Sequence, residues 1–388
     1  MRKVIFLICI LALVAVPVFA QDSSQATPPA TEEAISDTGS AAATPEATEG
    51  ATKWQCPDGF QGQTLSVFNW TTYVADNTIS DFERLCGVKV TYDTYTSNED
   101  LLARLKGGNP GYDVIVPSDH MVATMIQLGI VQPLDLDKIP NFANVSESLK
   151  NPVYDPGNKY SVPYQWGTVV IGYNKAKVGH DVTSWNDLFN YTGGKVAWLD
   201  DERAMLGIAL TMLGDDANST DETQIDAARD FLIAHGSNVA AIASDDGQAM
   251  LERGDVDMTV EYSGDIYQIM SNCNCQDYGF VIPKEGTNLW IDNLAIPTGA
   301  PNKPLADAFI DYILDPQVGA DISNYTAYAS PNQAAIDQKL IDPELLSNEA
   351  IYPPADVRDH WFTILPNTDQ ETIYNDAWDA IKASLGTS

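Results

Sequence analysis

The sequence predicts an α/β fold with two units, each a β-sheet flanked by helices. With 388 residues, the chain is long enough for two domains. From residue 64, short strand-like stretches alternate with amphipathic helical stretches, which is typical of a parallel sheet covered by helices. A second α/β unit begins at about residue 168, and the chain contains no repeat of fixed period.

The first unit contains three predicted strands, each followed by a predicted helix. The first helix has apolar residues at helical spacing, namely Ile79, Phe82 and Leu85. The second begins with the capping box Ser97-x-x-Asp100. Ligands of such sheets bind beyond the carboxyl ends of the strands. Strands are expected at residues 64–70, 88–95 and 112–118, and helices at residues 77–87, 97–108 and 119–129.

The second unit follows the same pattern of periodicity and turn residues. Its strands are expected at residues 169–174, 195–200 and 256–262, and its helices at 184–190, 203–214, 223–236 and 245–254. After it come a short buried strand at 288–297, a helix at 303–315, an irregular segment at 325–335 and a final helix at 369–384.

The buried strand, NLWIDNLAIP, carries an aromatic ring and a carboxylate on one face. Side chains two apart on a strand point the same way, so Trp290 and Asp292 stand side by side. A buried carboxylate needs a partner. The pair therefore indicates a site that is completed by a cationic ligand.

The N-terminus has the features of an export signal. Arg2 and Lys3 precede an apolar stretch at 4–19, and VFA is a suitable cleavage tripeptide, so residues 1–20 are predicted to be a secretory signal peptide. An uncleaved anchor is the alternative, although the stretch is short for a membrane span. Residues 21–53 form a disordered acidic linker by composition. We therefore expect an exported protein, periplasmic or cell-surface associated, tethered if the N-terminal segment is retained.

The chain is strongly acidic, with a formal net charge of −33. The two basic residues of the N-terminal segment contribute +2 and residues 21–53 contribute −5, which leaves −30 on residues 54–388. Such a surface repels nucleic acid and anionic lipid and attracts cations over long range. The charge also serves solubility, so by itself it is a weak indication of a cationic ligand.

Four cysteines follow the export segment and allow three pairings in an oxidising compartment. Cys56 precedes the first strand and Cys86 ends the first helix, so we expect these two to form a disulfide. Cys273 and Cys275 then form either a tight local bridge or a free pair. A CxC motif without a nearby His or second CxC is poor evidence for zinc.

Aromatic and acidic residues at the ends of predicted strands make up the candidate binding site. Aromatic faces attract cations and carboxylates pair with ammonium groups, so the set suits an elongated polycation. Single aromatics in strands are more often core residues, and an Asp between a strand and a helix, such as Asp119 or Asp201, is often an N-cap. The candidates are Trp70, Tyr73, Ser118, Asp119, Asp201, Tyr262, Asp265, Trp290, Asp292 and Tyr328.

Several stretches of the chain resemble the spermidine/putrescine-binding proteins of ABC transporters. In chain order they are LSVFNWTTYV, YDVIVPSDHMV, YSVPYQWGTVVIGYN, TSWNDLF, LWIDNLAIPTGAPNK and YASPNQAA, and the likeness runs from about residue 64 to the C-terminus. The resemblance implies a two-lobed periplasmic-binding-protein fold of type II that closes on a polyamine. It also implies delivery of the ligand to membrane permease subunits, a monomeric state, no cofactor and no enzymatic activity.

The resemblance further implies where the chain crosses between the lobes. Crossovers are expected near Gly167 and near Ile291. Lobe 1 would then consist of residues 64–167 and 292–336, and lobe 2 of residues 168–291 and 337–388.

All candidate residues except Asp119 match ligand-contacting positions of that family. Tyr262 stands where the family has tryptophan, and Asp265 matches an aspartate of the putrescine-type members. The chain departs from the family at Thr72 and Ala204, where many members have acids. These departures leave the choice between spermidine and putrescine open.

Three further positions bear on that choice. Phe362 falls near a position where some members have glutamine. Asp119 or Glu202 could compensate for the missing acids, although Glu202 is displaced by two positions.

A receptor of the same fold for another cation, such as a thiamine-like compound or a metal, is the alternative. An anionic or zwitterionic solute would require an Arg clamp, and Arg203 beside Asp201 is the only arginine placed for one. An iron site would require paired tyrosines, and Tyr325 and Tyr328 resemble such a pair.

An enzyme is the third hypothesis. The four histidines, His120, His180, His235 and His360, have no nucleophile motif beside them, and GxSxG, HExxH and P-loop motifs are absent. His120 follows PSD and is expected to line a ligand site rather than to act as a base.

Overall fold

The structure is a computed structural model that describes residues 52–244, 246–273, 277–353, 361–366 and 371–386, without the side chains of 272, 273 and 371. The predicted export segment, nearly all of the linker, the Cys273–Cys275 pair and His360 lie outside what is described. Among the helices described, none combines the length and apolarity needed to cross a bilayer.

The strands of the described chain belong to one mixed sheet. Its order is β2-β1-β3-β10-β5-β8-β6-β7, with β4 paired to β10 and β9 paired to β5. The strands are β1 (Thr64–Trp70), β2 (Lys89–Tyr95), β3 (Val114–Ile115), β4 (Val131–Gln132), β5 (Ser161–Asn174), β6 (Val196–Leu199), β7 (Val239–Ala243), β8 (Met258–Tyr262), β9 (Tyr278–Val281) and β10 (Leu289–Pro297).

Helices follow the strands as the alternating pattern predicts. They are α1 (Thr78–Cys86), α2 (Asn98–Lys106), α3 (Asp119–Gln127), α4 (Lys175–Val178), α5 (Trp185–Phe189), α6 (Glu202–Leu213), α7 (Glu222–His235), α8 (Gly247–Arg253), α9 (Ser263–Cys273), α10 (Lys303–Ile313), α11 (Pro316–Thr326), α12 (Gln333–Asp337), α13 (Pro343–Leu346) and α14 (Glu371–Leu385). Short 3₁₀ turns lie at Leu136–Lys138, Pro140–Asn144 and Glu147–Leu149.

Two long antiparallel strands, β5 and β10, connect the two halves of the sheet. The end of β10 pairs with β3 and β4 on one side and with the first part of β5 on the other, whereas the rest of β5 pairs with β8 and β9. We call the half with β1–β4 lobe 1 and the half with β6–β9 lobe 2. Where the strands pass between the lobes, Trp290 lies opposite Gly167 and Ile291 opposite Trp166.

The observed strands differ from the predicted ones in length and number. β3 is shorter than predicted, and Asp113 stands just before it. The Asp113 carboxylate accepts the backbone N–H groups of Ser66 (2.9 Å) and Asn302 (2.6 Å). β5 begins before the predicted 169–174 and continues through the crossover. β7 and β9 were not predicted, because both are short and half-exposed and lack a clean alternating pattern.

The segment after α12 packs against α11 and α12. Ile341 and Leu345, assigned to lobe 2 from the resemblance, belong to an apolar cluster with Ala320 of α11 and Ala335 of α12. The final helix does pack on lobe 2, against α6 and α7. These apolar side chains are buried against α11 and α12, and the boundary at 336/337 stays a prediction from the resemblance.

The folded part of lobe 1 begins before the first strand. The indole of Trp54 is buried against the rings of Phe82 and Tyr312, and its Nε1 donates to Asp311 at 2.7 Å. Cys56 and Cys86 are joined by a disulfide, the pair singled out from the sequence. Residues 52–63 therefore belong to lobe 1 rather than to the linker, and the disulfide ties them to the end of α1.

Replacing both Cys56 and Cys86 by Ser is expected to lower the free energy of unfolding by about 3 kcal/mol, because the cross-link restricts the unfolded chain. Urea titration followed by circular dichroism measures the change. Reduction of the wild-type protein with dithiothreitol should produce the same loss, and should leave the double variant unchanged. Equal stability of oxidised wild type and double variant would contradict the prediction.

Candidate ligand-binding cleft

A cleft lies where the strand ends of the two lobes meet. It receives side chains from the ends of β1 and β8, the starts of α3 and α9, and the middle of β10. The structure brings together every sequence-predicted site residue except Asp119. The lining consists of Trp70, Thr71, Tyr73, Asn98, Ser118, His120, Asp201, Tyr262, Asp265, Asn288, Trp290, Asp292, Tyr328 and Ile364.

Asp292 is the anionic group on the lobe 1 side of the cleft. Its two oxygens accept hydrogen bonds from the Tyr73 hydroxyl at 2.7 Å and the Ser118 hydroxyl at 2.6 Å. Asn98 in turn donates to the Ser118 oxygen at 3.0 Å. The β5–β10 register shifts between Asp292 and Asn293, and this bulge directs the carboxylate to the end of β3.

The electrostatic setting of Asp292 is unusual for a carboxylate. Burial raises its pKa to about 7, with a further contribution from Asp119, while hydrogen bonds from Ser118 and Tyr73 and the charge of His120 oppose the shift. Within the described part of the chain, Lys and Arg side chains form no ion pair with it. Asp292 therefore stands beside the cleft with hydroxyl partners, and among the described residues neither Lys nor Arg pairs with it.

Two acids face the cleft from lobe 2. Asp265 lies in the first turn of α9 and accepts the Tyr328 hydroxyl at 2.6 Å. Asp201 caps α6, where its Oδ1 accepts the backbone N–H of Ala204 at 2.9 Å. Asp201 therefore combines the N-cap role that its sequence position suggests with a place in the cleft wall.

Aromatic rings form a continuous wall between these acids. Tyr73 and Tyr328 are 5.5 Å apart between ring centroids, Tyr328 and Trp290 are 5.1 Å apart, and Trp290 and Tyr262 are 5.8 Å apart. Each pair is edge-to-face, which is a favourable geometry. Trp70 is held at the edge by a hydrogen bond from Nε1 to the carbonyl of Val116 at 2.9 Å. The wall offers ring faces and apolar edges to a ligand that spans the carboxylates.

Asp119 is the candidate that the structure does not bring to the lining. It is the first residue of α3, is 3% exposed, and its Oδ1 accepts the backbone N–H of His120 at 2.8 Å. Because its carboxylate turns back to the helix N-terminus, His120 takes its place in the cleft wall. Asp119 still acts on the site at a distance, since its charge raises the pKa of Asp292.

Five lining residues were not among the ten candidates. His120 was expected to line a ligand site, whereas Thr71, Asn98, Asn288 and Ile364 were not singled out from the sequence. Asn288 could have been found, because it lies two residues before Trp290 on the same strand face. Ile364 gave no local signal, since it reaches the cleft only through the packing of the segment around Phe362 along the start of β10.

The fold and the cleft together define a class of protein. Two lobes of one α/β sheet, joined by paired strands and enclosing a pocket at their strand ends, are the architecture of a two-lobed solute receptor.

The comparisons with known proteins agree with this class. The chain belongs to the bacterial extracellular solute-binding protein family, whose model matches residues 77–351. It is 35% identical over 341 residues to the putrescine-binding periplasmic protein PotF of Escherichia coli K12, covering 83% of this chain and 92% of that protein. It is 36% identical over 318 residues to the spermidine/putrescine-binding periplasmic protein of the same organism, covering 81% and 86%.

A solved structure is similar over the same extent. It is the spermidine/putrescine ABC transporter substrate-binding protein PotD of Streptococcus pneumoniae, with a TM-score of 0.71, 30% identity, and coverage of 84% of this chain and 100% of that one. The predicted fold class and family resemblance are thereby confirmed.

Replacing Asp292 by Asn should stabilise the ligand-free protein in a pH-dependent way. The folded-state pKa of about 7 lies above the unfolded value, so ionisation of Asp292 disfavours folding increasingly from about pH 4 to pH 7. The stability difference between variant and wild type should therefore change in favour of the variant by roughly 3 kcal/mol between pH 4.5 and pH 8. Urea titrations at both pH values measure it, and a difference independent of pH would contradict the assignment.

Proposed function

We propose that this protein is an extracytoplasmic receptor that binds putrescine or spermidine in the cleft and delivers it to an ABC transporter permease. The observation that carries the proposal is the composition of the cleft wall. Asp201, Asp265 and Asp292 face one space with an aromatic wall between them, and no Lys or Arg is among the lining residues in the described part of the chain. The names of the relatives at 35–36% identity support the polyamine class.

One ammonium group would pair with Asp292 on the lobe 1 side. Because Tyr73 and Ser118 donate to this carboxylate, it is oriented before the ligand arrives. The arriving cation supplies the counter-charge that a buried carboxylate requires. Ionisation of Asp292 is then favoured, because a nearby positive charge lowers a carboxyl pKa.

The rest of the ligand would run along the aromatic wall toward lobe 2. Trp290 and Tyr328 pack against the methylene groups and attract the ammonium groups, each such contact contributing about 2 kcal/mol when desolvated. Asp265 and Asp201 receive the second amine. Since the acids belong to different lobes, the ligand contacts all of them only in the closed arrangement, and binding favours closure.

The alternatives fit the cleft less well. Arg203 lies over the Tyr374 ring at 4.4 Å and donates to the Leu365 carbonyl at 3.1 Å, so it forms no clamp for an anionic solute in the cleft. Tyr328 lines the cleft, whereas Tyr325 is 45% exposed and is not in the lining. In the part of the chain described, His, Cys, Asp and Glu form no group of three suited to a metal ion.

The proposal includes the cellular context that the sequence suggests. The receptor is exported, acts as a monomer with the membrane permease as its protein partner, and binds no nucleic acid. Its charge of −30 on residues 54–388 supports the last point. It performs no catalysis: His120 serves as part of the cleft wall.

Calorimetry with putrescine, spermidine and spermine, on protein refolded to remove copurified ligand, tests the function. The variants Asp292→Asn and Asp265→Asn should each lower the affinity for the preferred polyamine by about 100-fold or more. Each substitution leaves a desolvated ammonium group of the ligand unpaired. Asp119→Asn is the matched control, a buried acid outside the lining, and should change affinity less than about fivefold, through its long-range charge alone. Absence of heat with all three amines would overturn the proposal.

Binding should also weaken on acidification. A proton on Asp292, whose pKa in the empty cleft is about 7, must leave before an ammonium group can pair with the carboxylate. Affinity should therefore fall by up to about tenfold per pH unit below pH 7. The Asp292→Asn variant should lack this dependence between pH 5.5 and 7, and an equally steep dependence in the variant would assign the titration to another group.

A further inference from the structure

Two rings of the aromatic wall lie directly on glycines. A Cβ at Gly167 would be 2.5 Å from Cζ2 and 3.1 Å from Cη2 of Trp290. A Cβ at Gly264 would be 2.6–2.7 Å from Cε1, Cδ1 and Cζ of Tyr328. Carbon atoms in van der Waals contact are about 3.5–4.0 Å apart. Any side chain at either position would therefore have to move the ring.

The backbone does not explain these glycines. Neither has a φ in the left-handed region, so an L-residue is compatible with both conformations. Gly264 lies in the first turn of helix α9, and Ala generally forms helices more readily than Gly. The steric requirement at both sites comes from the rings.

The rings that they support are fixed on their other sides. Tyr328 donates its hydroxyl to Asp265 and packs edge-to-face on Tyr73 and Trp290. A methyl group at Gly264 would push the Tyr328 ring away from α9, and the hydroxyl would move away from the Asp265 carboxylate. Gly264 is adjacent to Asp265 in the chain, so one turn of α9 places both the support for the ring and the acid that it contacts.

We propose that Gly167 and Gly264 are positioning residues of the binding site. Gly167 sets the plane of the Trp290 ring. Gly264 sets the plane of the Tyr328 ring and, through the Tyr328 hydroxyl, orients Asp265. The width of the cleft between the acids depends on the planes of these two rings. Because Gly167 and Gly264 have no side chain, the rings lie close to the backbone, and this determines how closely a methylene chain fits between them. The proposal rests on the proposed function only in naming a polyamine as the ligand.

The test compares Gly167→Ala and Gly264→Ala with Gly172→Ala. Gly172 is the matched control, because it also lies on β5 and its Cβ would be 2.5 Å from a side-chain atom of α9, Cδ1 of Ile266, which is buried outside the cleft. Calorimetry with putrescine and spermidine should show at least a tenfold loss of affinity for the first two variants. The affinity of the control variant should fall less than twofold, although its melting temperature should fall about as much as those of the two cleft variants. Equal loss in all three would overturn the proposal.

A double-mutant cycle separates positioning from general damage. Trp290→Phe removes the ring atoms nearest to Gly167, so Gly167→Ala should change affinity less than twofold in that background. An undiminished effect there would overturn the role of Gly167. If an Ala variant fails to fold alone, the combinations Gly167→Ala with Trp290→Phe and Gly264→Ala with Tyr328→Leu must restore folding, and failure to do so counts against the proposal.

Near-UV circular dichroism of the ligand-free proteins provides a readout that does not depend on the ligand. Gly167→Ala and Gly264→Ala should change the aromatic bands, whereas Gly172→Ala should leave them as in the wild type. If the wild type binds no polyamine, the proposed function fails while this measurement still decides the positioning roles. Unchanged bands in both cleft variants would overturn them.

Discussion

The antiparallel pairing of β5 with β10 holds the two lobes together in one sheet. These strands are shared by both lobes, so their register sets how the lobes meet. Trp290 lies opposite Gly167 at the crossing, and the bulge after Asp292 turns the carboxylate toward Ser118 and Tyr73. A slip of one residue would exchange the two faces of β10 and remove both groups from the cleft.

The cleft combines carboxylates with tyrosine side chains that contact them. Asp292 and Asp265 each accept a tyrosine hydroxyl, and the two tyrosines, Tyr73 and Tyr328, touch edge-to-face. The hydroxyls satisfy hydrogen-bonding capacity without cancelling charge. Each hydroxyl orients its acid before a ligand arrives, which limits the ordering that ligand binding must cost.

Close packing and charge are connected at one helix end. The first turn of α9 brings Gly264 under the Tyr328 ring and places Asp265 within reach of its hydroxyl. A change in packing at this turn is thus also a change in the electrostatics of the site. The same holds at the crossover, where Gly167 lies beneath Trp290.

Much of this protein could be read from its sequence, because local patterns carry the information. Alternation of strand and helix signals gave the α/β class, and period-two spacing placed Trp290 and Asp292 on one face. The resemblance to polyamine-binding proteins then assembled residues that are far apart in the chain into one site. The cysteine positions suggested the pair that the structure shows bonded.

Other features of the protein depend on contacts between segments that are distant in the chain. The sequence could not place Asp119 outside the lining, since whether a carboxylate caps its helix or faces a cleft depends on what packs around it. The sequence also did not predict that Ile364 reaches the cleft wall, that β5 extends through both lobes, or that the pKa of Asp292 is raised. Sequence alone determined the residue types and local periods, and folding determined burial, register and distance, on which desolvation and steric fit depend.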